Sequence, residues 1–133
     1  MNITPDQYKK YAAKSLPALI RIAEKHFNAF IRKRDSDGDY FTCISCQEVK
    51  PVSLMHAGHF LSAGHNTNVR FHTDNVHGQC SRCNTHEHGN LIEYNDNLIA
   101  KIGAERVQHL KDIARLPHKW DRAELIAIIV KYK

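Results

Sequence analysis

The sequence predicts an α+β fold: a zinc-stabilised, loop-rich centre built around a β-hairpin and flanked by N-terminal and C-terminal α-helices. Three observations lead there. Apolar residues recur at helical spacing before residue 35 and after residue 90. Two CxxC pairs, Cys43 to Cys46 and Cys80 to Cys83, bracket the middle. The segment from Tyr40 to Asn90 lacks periodicity and is rich in Cys, His, Asn and Gly, so it buries too little apolar surface to fold unaided and needs a staple.

Thr4-Pro5-Asp6-Gln7 supplies an N-cap, a proline at the first helical position and a Gln three residues past the cap, so a helix starts there. Ser15 and Pro17 break it near Lys14 to Leu16. A second helix runs to about Arg34, with Leu19, Ile20, Ala23, Phe27, Phe30 and Ile31 forming its buried face. Asp35 to Asp39 is a turn cluster. Leu91 to Ile102 and Ala104 to Ala114 read as helices separated by Gly103, and Asp121 with Glu124 caps a last helix through about Lys131. A chain of 133 residues, 42% of them hydrophobic, fits a single domain. Its parts are a basic helical arm (1–38), the metal-bound core (39–90) and the C-terminal helices (91–133). No apolar stretch reaches membrane length, and the N-terminus lacks a secretory core, so the expectation is a soluble cytoplasmic protein.

The net charge of +5 is unevenly spread. Residues 1 to 35 hold eight Lys or Arg against three acids, whereas the rest of the chain has eleven of each. Arg21, Lys25, Arg32 and Lys33 lie off the apolar face of the second helix and are the candidate contacts to a DNA backbone. Charge alone leaves a solvated helix face equally open.

In a reducing compartment, paired CxxC spacing favours one tetrahedral zinc on Cys43, Cys46, Cys80 and Cys83 over two disulfides. A closed four-cysteine site leaves no position for water or substrate, so this zinc is structural. The loop it closes carries the chemistry. Seven of the ten histidines fall between residues 56 and 88, in the order CxxC, HAGHF (His56 to Phe60), Asp74-Asn75, CxxCN (Cys80 to Asn84), then His88.

That order resembles the HNH nucleases of the zinc-knuckle kind, whose ββα-metal unit consists of two strands and a helix. The resemblance implies His59 as the general base, Asn75 as the residue that pins the loop, and Asn84 as a ligand of a catalytic cation. The helix would start at the second CxxC, so that His88 at i+4 shares a face with Asn84. A longer match, from FNAFIRKRD (Phe27 to Asp35) through CISC, HAGHF, RFHTDNVHGQCSRCN (Arg70 to Asn84), Gly89-Asn90 and IGAERV (Ile102 to Val107), resembles the Rap/NinG recombination proteins of lambdoid phages. That family implies a structure-specific endonuclease acting on Holliday junctions or D-loops inside a bacterial host.

One departure concerns position 58. Many HNH nucleases place an Asp before the base histidine, and this chain has Gly58. His56 is the substitute ligand, provided the strand bends at Ala57-Gly58, since alternate residues of a strand face opposite sides. The cation expected is Mg²⁺ or Mn²⁺, with imidazole tilting the site toward transition metals. Arg70 or Arg82 can reach the scissile phosphate or form an ordinary salt bridge. Two symmetric nicks in a junction imply a homodimer. The alternative is a zinc-stabilised DNA-binding module without catalysis.

Overall fold

The computed structural model describes residues 3–133. At its start, the Gln7 side-chain oxygen accepts the Thr4 N–H at 2.9 Å while Thr4 Oγ1 accepts the Gln7 N–H, closing the capping box of α1 (Pro5–Tyr11). Ser15 then caps α2 (Leu16–Asp35) through the Ala18 N–H. Pro17 sits in the first turn of α2, where its missing N–H has no partner to lose. The proline thus starts the second helix.

Along α2, Leu19, Ala23, Phe27 and Ile31 form one buried stripe packed on Leu125, Ile126 and Ile129 of α5 (Arg122–Tyr132) and on Phe71 and Val76. Phe27 meets Phe71 and Tyr132 edge-on. Phe30, expected in the stripe, is exposed at its rim and leans on Tyr132. It is turned about 100° from Ile31, which carries it past the contact with α5. Because α2 also lies against the central hairpin, the helix that carries most of the basic residues is itself a wall of the core.

Beyond α2, β1 (Ser36–Asp37), β2 (Tyr40–Thr42) and β3 (Val49–Pro51) make a small antiparallel sheet. Next comes the hairpin of β4 (Met55–His59) and β5 (Val76–Cys80), paired from Met55↔Cys80 to His59↔Val76 without a bulge. On its other side, α3 (Leu91–Ile102) and α4 (Ala104–Ala114) bury Tyr94, Leu98, Val107 and Leu110 against Ile44, Phe60 and Val69. Gly103, at φ +93°, makes the corner between the two helices. Asp121 and Glu124 close a second capping box at α5.

Asp35, at the end of α2, joins the layers. Its Oδ2 accepts the Gly78 N–H of β5 at 2.7 Å, and Arg34 and Lys101 lie 2.7 and 3.3 Å from Oδ1. A Cβ at position 78 would stand 3.3 Å from that of Asp35, so glycine lets helix and strand approach. Burial opposes the charge on Asp35, but the Arg34 and Gly78 hydrogen bonds and Lys101 prevail and hold its carboxyl at about 2. Asp35→Asn leaves two cations without their shared anion and should lower stability by about 3 kcal/mol at pH 7 in thermal or urea melts. A loss below about 0.5 kcal/mol would remove Asp35 from this role.

Candidate metal centre and candidate active site

The hairpin brings the two CxxC pairs together. Cys43 follows β2, and Gln47, at φ +61°, turns the chain so that its N–H reaches the Cys43 carbonyl at 2.9 Å. Cys80 ends β5, and Cys83 lies in a single wide helical turn, Arg82–His86. The four sulfurs lie within 4.8 Å of one another, with Cys46 and Cys80 Sγ 3.9 Å apart. Sulfurs on a tetrahedral zinc with bonds of about 2.3 Å stand about 3.8 Å apart, so the cluster fits that ion. The Cys80 N–H points at Cys43 Sγ (3.3 Å), and the Cys83 N–H and Asn90 amide at Cys80 and Cys83 Sγ (each 3.5 Å), which stabilises thiolates. Burial pushes the Cys43 thiol up to about 12, so a cation is what would ionise it. Four sulfurs would complete a tetrahedron, which is consistent with a structural zinc.

A cleft of about 310 Å³ opens beside β4, lined by Ala57, His59, Ser62, Asn84, His88 and Gly89 among others. His59 ends β4, and its Nε2 lies 3.1 Å from the Arg70 carbonyl. A carbonyl only accepts, so Nε2 carries the proton and Nδ1 is the basic atom of the neutral ring. Burial lowers the His59 pKa, against the raising pull of the Arg70 carbonyl and the Glu24 carboxylate. Asn75, fully buried, staples the intervening loop. Its Oδ1 accepts the Leu61 N–H and its Nδ2 donates to the Leu61 and Val69 carbonyls, at 2.8, 2.8 and 3.2 Å.

Asn84 and His88 reach this cleft by a route that helical spacing does not suggest. The helical turn stops at His86, and His88, Gly89 and Asn90 all have positive φ, so the chain doubles back before α3. Asn84 and His88 therefore do not share a helix face. The cause is the knuckle, where the Gly89 N–H binds the Cys83 carbonyl at 2.8 Å and its own carbonyl is taken by Gln79 Nε2 at 2.6 Å. The bend expected at Ala57-Gly58 is absent too, and β4 stays regular. Asn84 Nδ2 instead donates to His56 Nδ1 at 2.9 Å, which leaves the His56 proton on Nε2. As placed, His56 orients Asn84 and offers no lone pair to a cation.

The basic residues do not converge on the cleft. Arg70 is tied to Glu24 at 2.8 Å, and Arg82 lies exposed, 3.6 Å from Glu48. Arg21, Lys25, Arg32 and Lys33 are exposed on α2, and none lines the cleft. Among the described residues, only the four cysteines gather three or more Cys, His, Asp or Glu donors, and no helix is long and apolar enough to cross a membrane.

This arrangement belongs to a chain whose residues 4–133 match the profile of the family described as Bacteriophage Lambda NinG protein. The chain belongs to the NinG family. It is 36% identical over 125 residues to protein ninG of Escherichia phage lambda, covering 94% of this chain and 59% of that protein. The corresponding figures are 37%, 94% and 60% for protein ninG of Escherichia phage 933W, and 35%, 94% and 59% for that of Salmonella phage P22. The chain thus spans about three-fifths of the length of these relatives. No solved structure matches it.

Within this NinG chain, Gly58 has a steric explanation. The side chain of Gln79, fully buried on β5, occupies the space beside it, and a Cβ at position 58 would come 2.0 Å from Gln79 Oε1. Tyr94 Oη also clamps the Gly58 carbonyl at 2.6 Å. Neither Gln79, Tyr94 nor Glu24 is marked by motif spacing, since their partners lie 10 to 46 residues away. A polar Gln between Gly78 and Cys80 in a strand is the one available signal.

Gly58→Ala should therefore cost about 1–3 kcal/mol in urea denaturation by expelling Gln79, and Gly58→Asp more, without adding a ligand. A Gly58→Asp protein as stable as the wild type contradicts that packing. Freshly purified protein should carry about one zinc per chain by elemental analysis. Cys80→Ser should lose it and unfold residues 40–90 in amide exchange, and less than about half an equivalent in the wild type refutes the centre.

Proposed function

We propose that this NinG chain carries an HNH-type, ββα-metal endonuclease site that hydrolyses phosphodiester bonds in branched DNA such as Holliday junctions or D-loops. The observation that carries the reading is His59: a half-buried imidazole with Nε2 committed to a backbone carbonyl, on the wall of a cleft shared with Asn84 and His88. A packed core histidine has no need of such neighbours.

The reaction needs a water in line with the leaving 3′ oxygen and relief of charge on the phosphate. His59 Nδ1, neutral near pH 7, accepts the proton of the attacking water. Asn75 acts at one remove, holding the loop whose Arg70 carbonyl fixes the His59 tautomer. Asn84 Oδ1 and His88 would hold the divalent cation, with waters completing its shell. When bound, that cation neutralises charge developing on the phosphoryl oxygens. Neither donor is a carboxylate, which suits Mn²⁺ better than Mg²⁺. Arg70 is near the base, and a phosphate could compete with Glu24 for its guanidinium. A four-way substrate makes a two-fold homodimer the economical assembly.

The outward face of α2, with Arg21, Lys25 and Arg32 opposite the buried stripe, supports contact with a DNA arm. The same face serves the second reading, a zinc-stabilised DNA-binding module.

His59→Ala separates the two. It should leave junction affinity within about twofold and slow Mn²⁺-dependent cleavage by about 10² to 10⁴. Cleavage should require neutral His59, so its rate falls as pH drops through the His59 pKa. Because burial lowers that pKa, the midpoint of the acid limb should lie below 6.5. Equal cleavage by His59→Ala removes the assignment, as does an acid midpoint above 7.

A further inference from the structure

The hairpin has a second polar side that the proposed chemistry leaves unused. Beside β5, a recess of about 420 Å³ is lined by Arg34, Asp74, His77, Lys101 and Arg106 among others, with Phe30 at its rim. His77 is buried and its Nε2 lies 3.0 Å from the Asp74 carbonyl, so Nε2 carries the proton and Nδ1 offers a single lone pair. Two cations point at that lone pair, Lys101 Nζ at 2.9 Å and Arg34 Nη2 at 3.2 Å. Burial and these cations push His77 down to about 4, so it adds no charge of its own.

The groups facing the pair are Asp35 beneath it, the neutral His77, and the Thr73 and Val76 carbonyls that accept from Arg34. Asp74 is taken by Arg106. Three cations against two carboxylates leave one positive charge in excess. The guanidinium of Arg34 is clamped on four sides, and like charges held side by side without full compensation favour an incoming anion.

We propose that this recess is a phosphodiester-binding site that takes a backbone phosphate of a duplex arm lying outside the candidate cleft. His59, paired with Val76, and His77, paired with Gly58, point to opposite faces of one hairpin, so a nucleic acid reaching both cleft and recess must present phosphates on two sides of it. A branch point with two arms does so. The source of the phosphate rests on the reading of the chain as a DNA-binding protein, but the site does not require catalysis.

The test uses zinc-loaded full chain and the double variant Lys101→Gln, Arg106→Gln. A glutamine at position 101 keeps a donor for His77 and Asp35, and Arg106 is 60% exposed, so the fold should persist with zinc content unchanged, while the melting point reports any loss from the weakened Asp35 and Asp74 pairs. Anisotropy titrations with a 12-base-pair duplex and a four-way junction from about 50 to 200 mM salt give the log-log slope. The variant should be shallower by about 0.9 to 1.8, one or two phosphate contacts. Amide shifts in the wild type should appear at Gly78, Lys101 and Arg106 with duplex. If the double variant is destabilised, Arg106→Gln alone should still flatten the slope by about 0.9.

An unchanged slope in both variants overturns the inference. It leaves the nuclease reading standing if the wild type still cuts the junction. Shifts at the recess with inorganic phosphate alone, and none with duplex, assign it to free phosphate and overturn the DNA source. A wild type that binds neither DNA overturns this inference and the nuclease reading together.

Discussion

Four sulfurs within 4.8 Å of one another tie together two short turns that are separated by 33 residues of sequence. The polypeptide between them has few apolar side chains, and the cluster beneath the knuckle consists of little more than Phe41, Met55 and the cysteines themselves. Without a cross-link, ordering such a loop would cost more conformational entropy than its burial returns. Closure at the four sulfurs, which are placed to hold a metal, fixes both ends of the hairpin. It also decides where the helical turn after Cys83 must stop.

That closure supports a polar network beside the apolar clusters, to which the segment lends Phe60, Val69, Phe71 and Val76. Gln79 reaches Gly89 and Ser45, Asn75 holds Leu61 and Val69, and Tyr94 clamps Gly58. Each bond spans two segments that apolar packing would leave loose, and each buried polar group costs heavily if its partner is lost. The result is a rigid two-stranded ribbon. One side faces a cleft with His59, Asn84 and His88, and the other a recess with Arg34, His77 and Lys101. Asp35 binds the second side to α2 and α3, so the helical layers set the distance between charges as well as the shape of the core.

The electrostatics of the two sides differ for a physical reason. On the β4 side no carboxylate lines the cleft, and His59 is held neutral by burial with its Nε2 proton on a carbonyl. On the β5 side, cations crowd a single imidazole nitrogen over one buried carboxylate. A neutral donor set suits a cation, and a cationic recess suits an anion. Both sets are assembled from residues far apart in the chain.

Local signals in the sequence determined the helices, the two capping boxes and the cysteine pairs. Thr4 with Gln7, Asp121 with Glu124, and the apolar spacing of α2 act within a few residues, so their physics is complete in a short window. The CxxC pairs were equally legible, because a tetrahedral ion demands that spacing. Phe30 was misplaced by one helical step, since the width of a buried stripe depends on the partner helix and not on the pattern alone. Only the tertiary structure decided that Gln79 fills the space at Gly58, that Asn84 binds His56, that Glu24 holds Arg70, and that the chain reverses at His88 to Asn90. These are steric and hydrogen-bond choices made between segments up to 46 residues apart, and no periodicity within either segment records them.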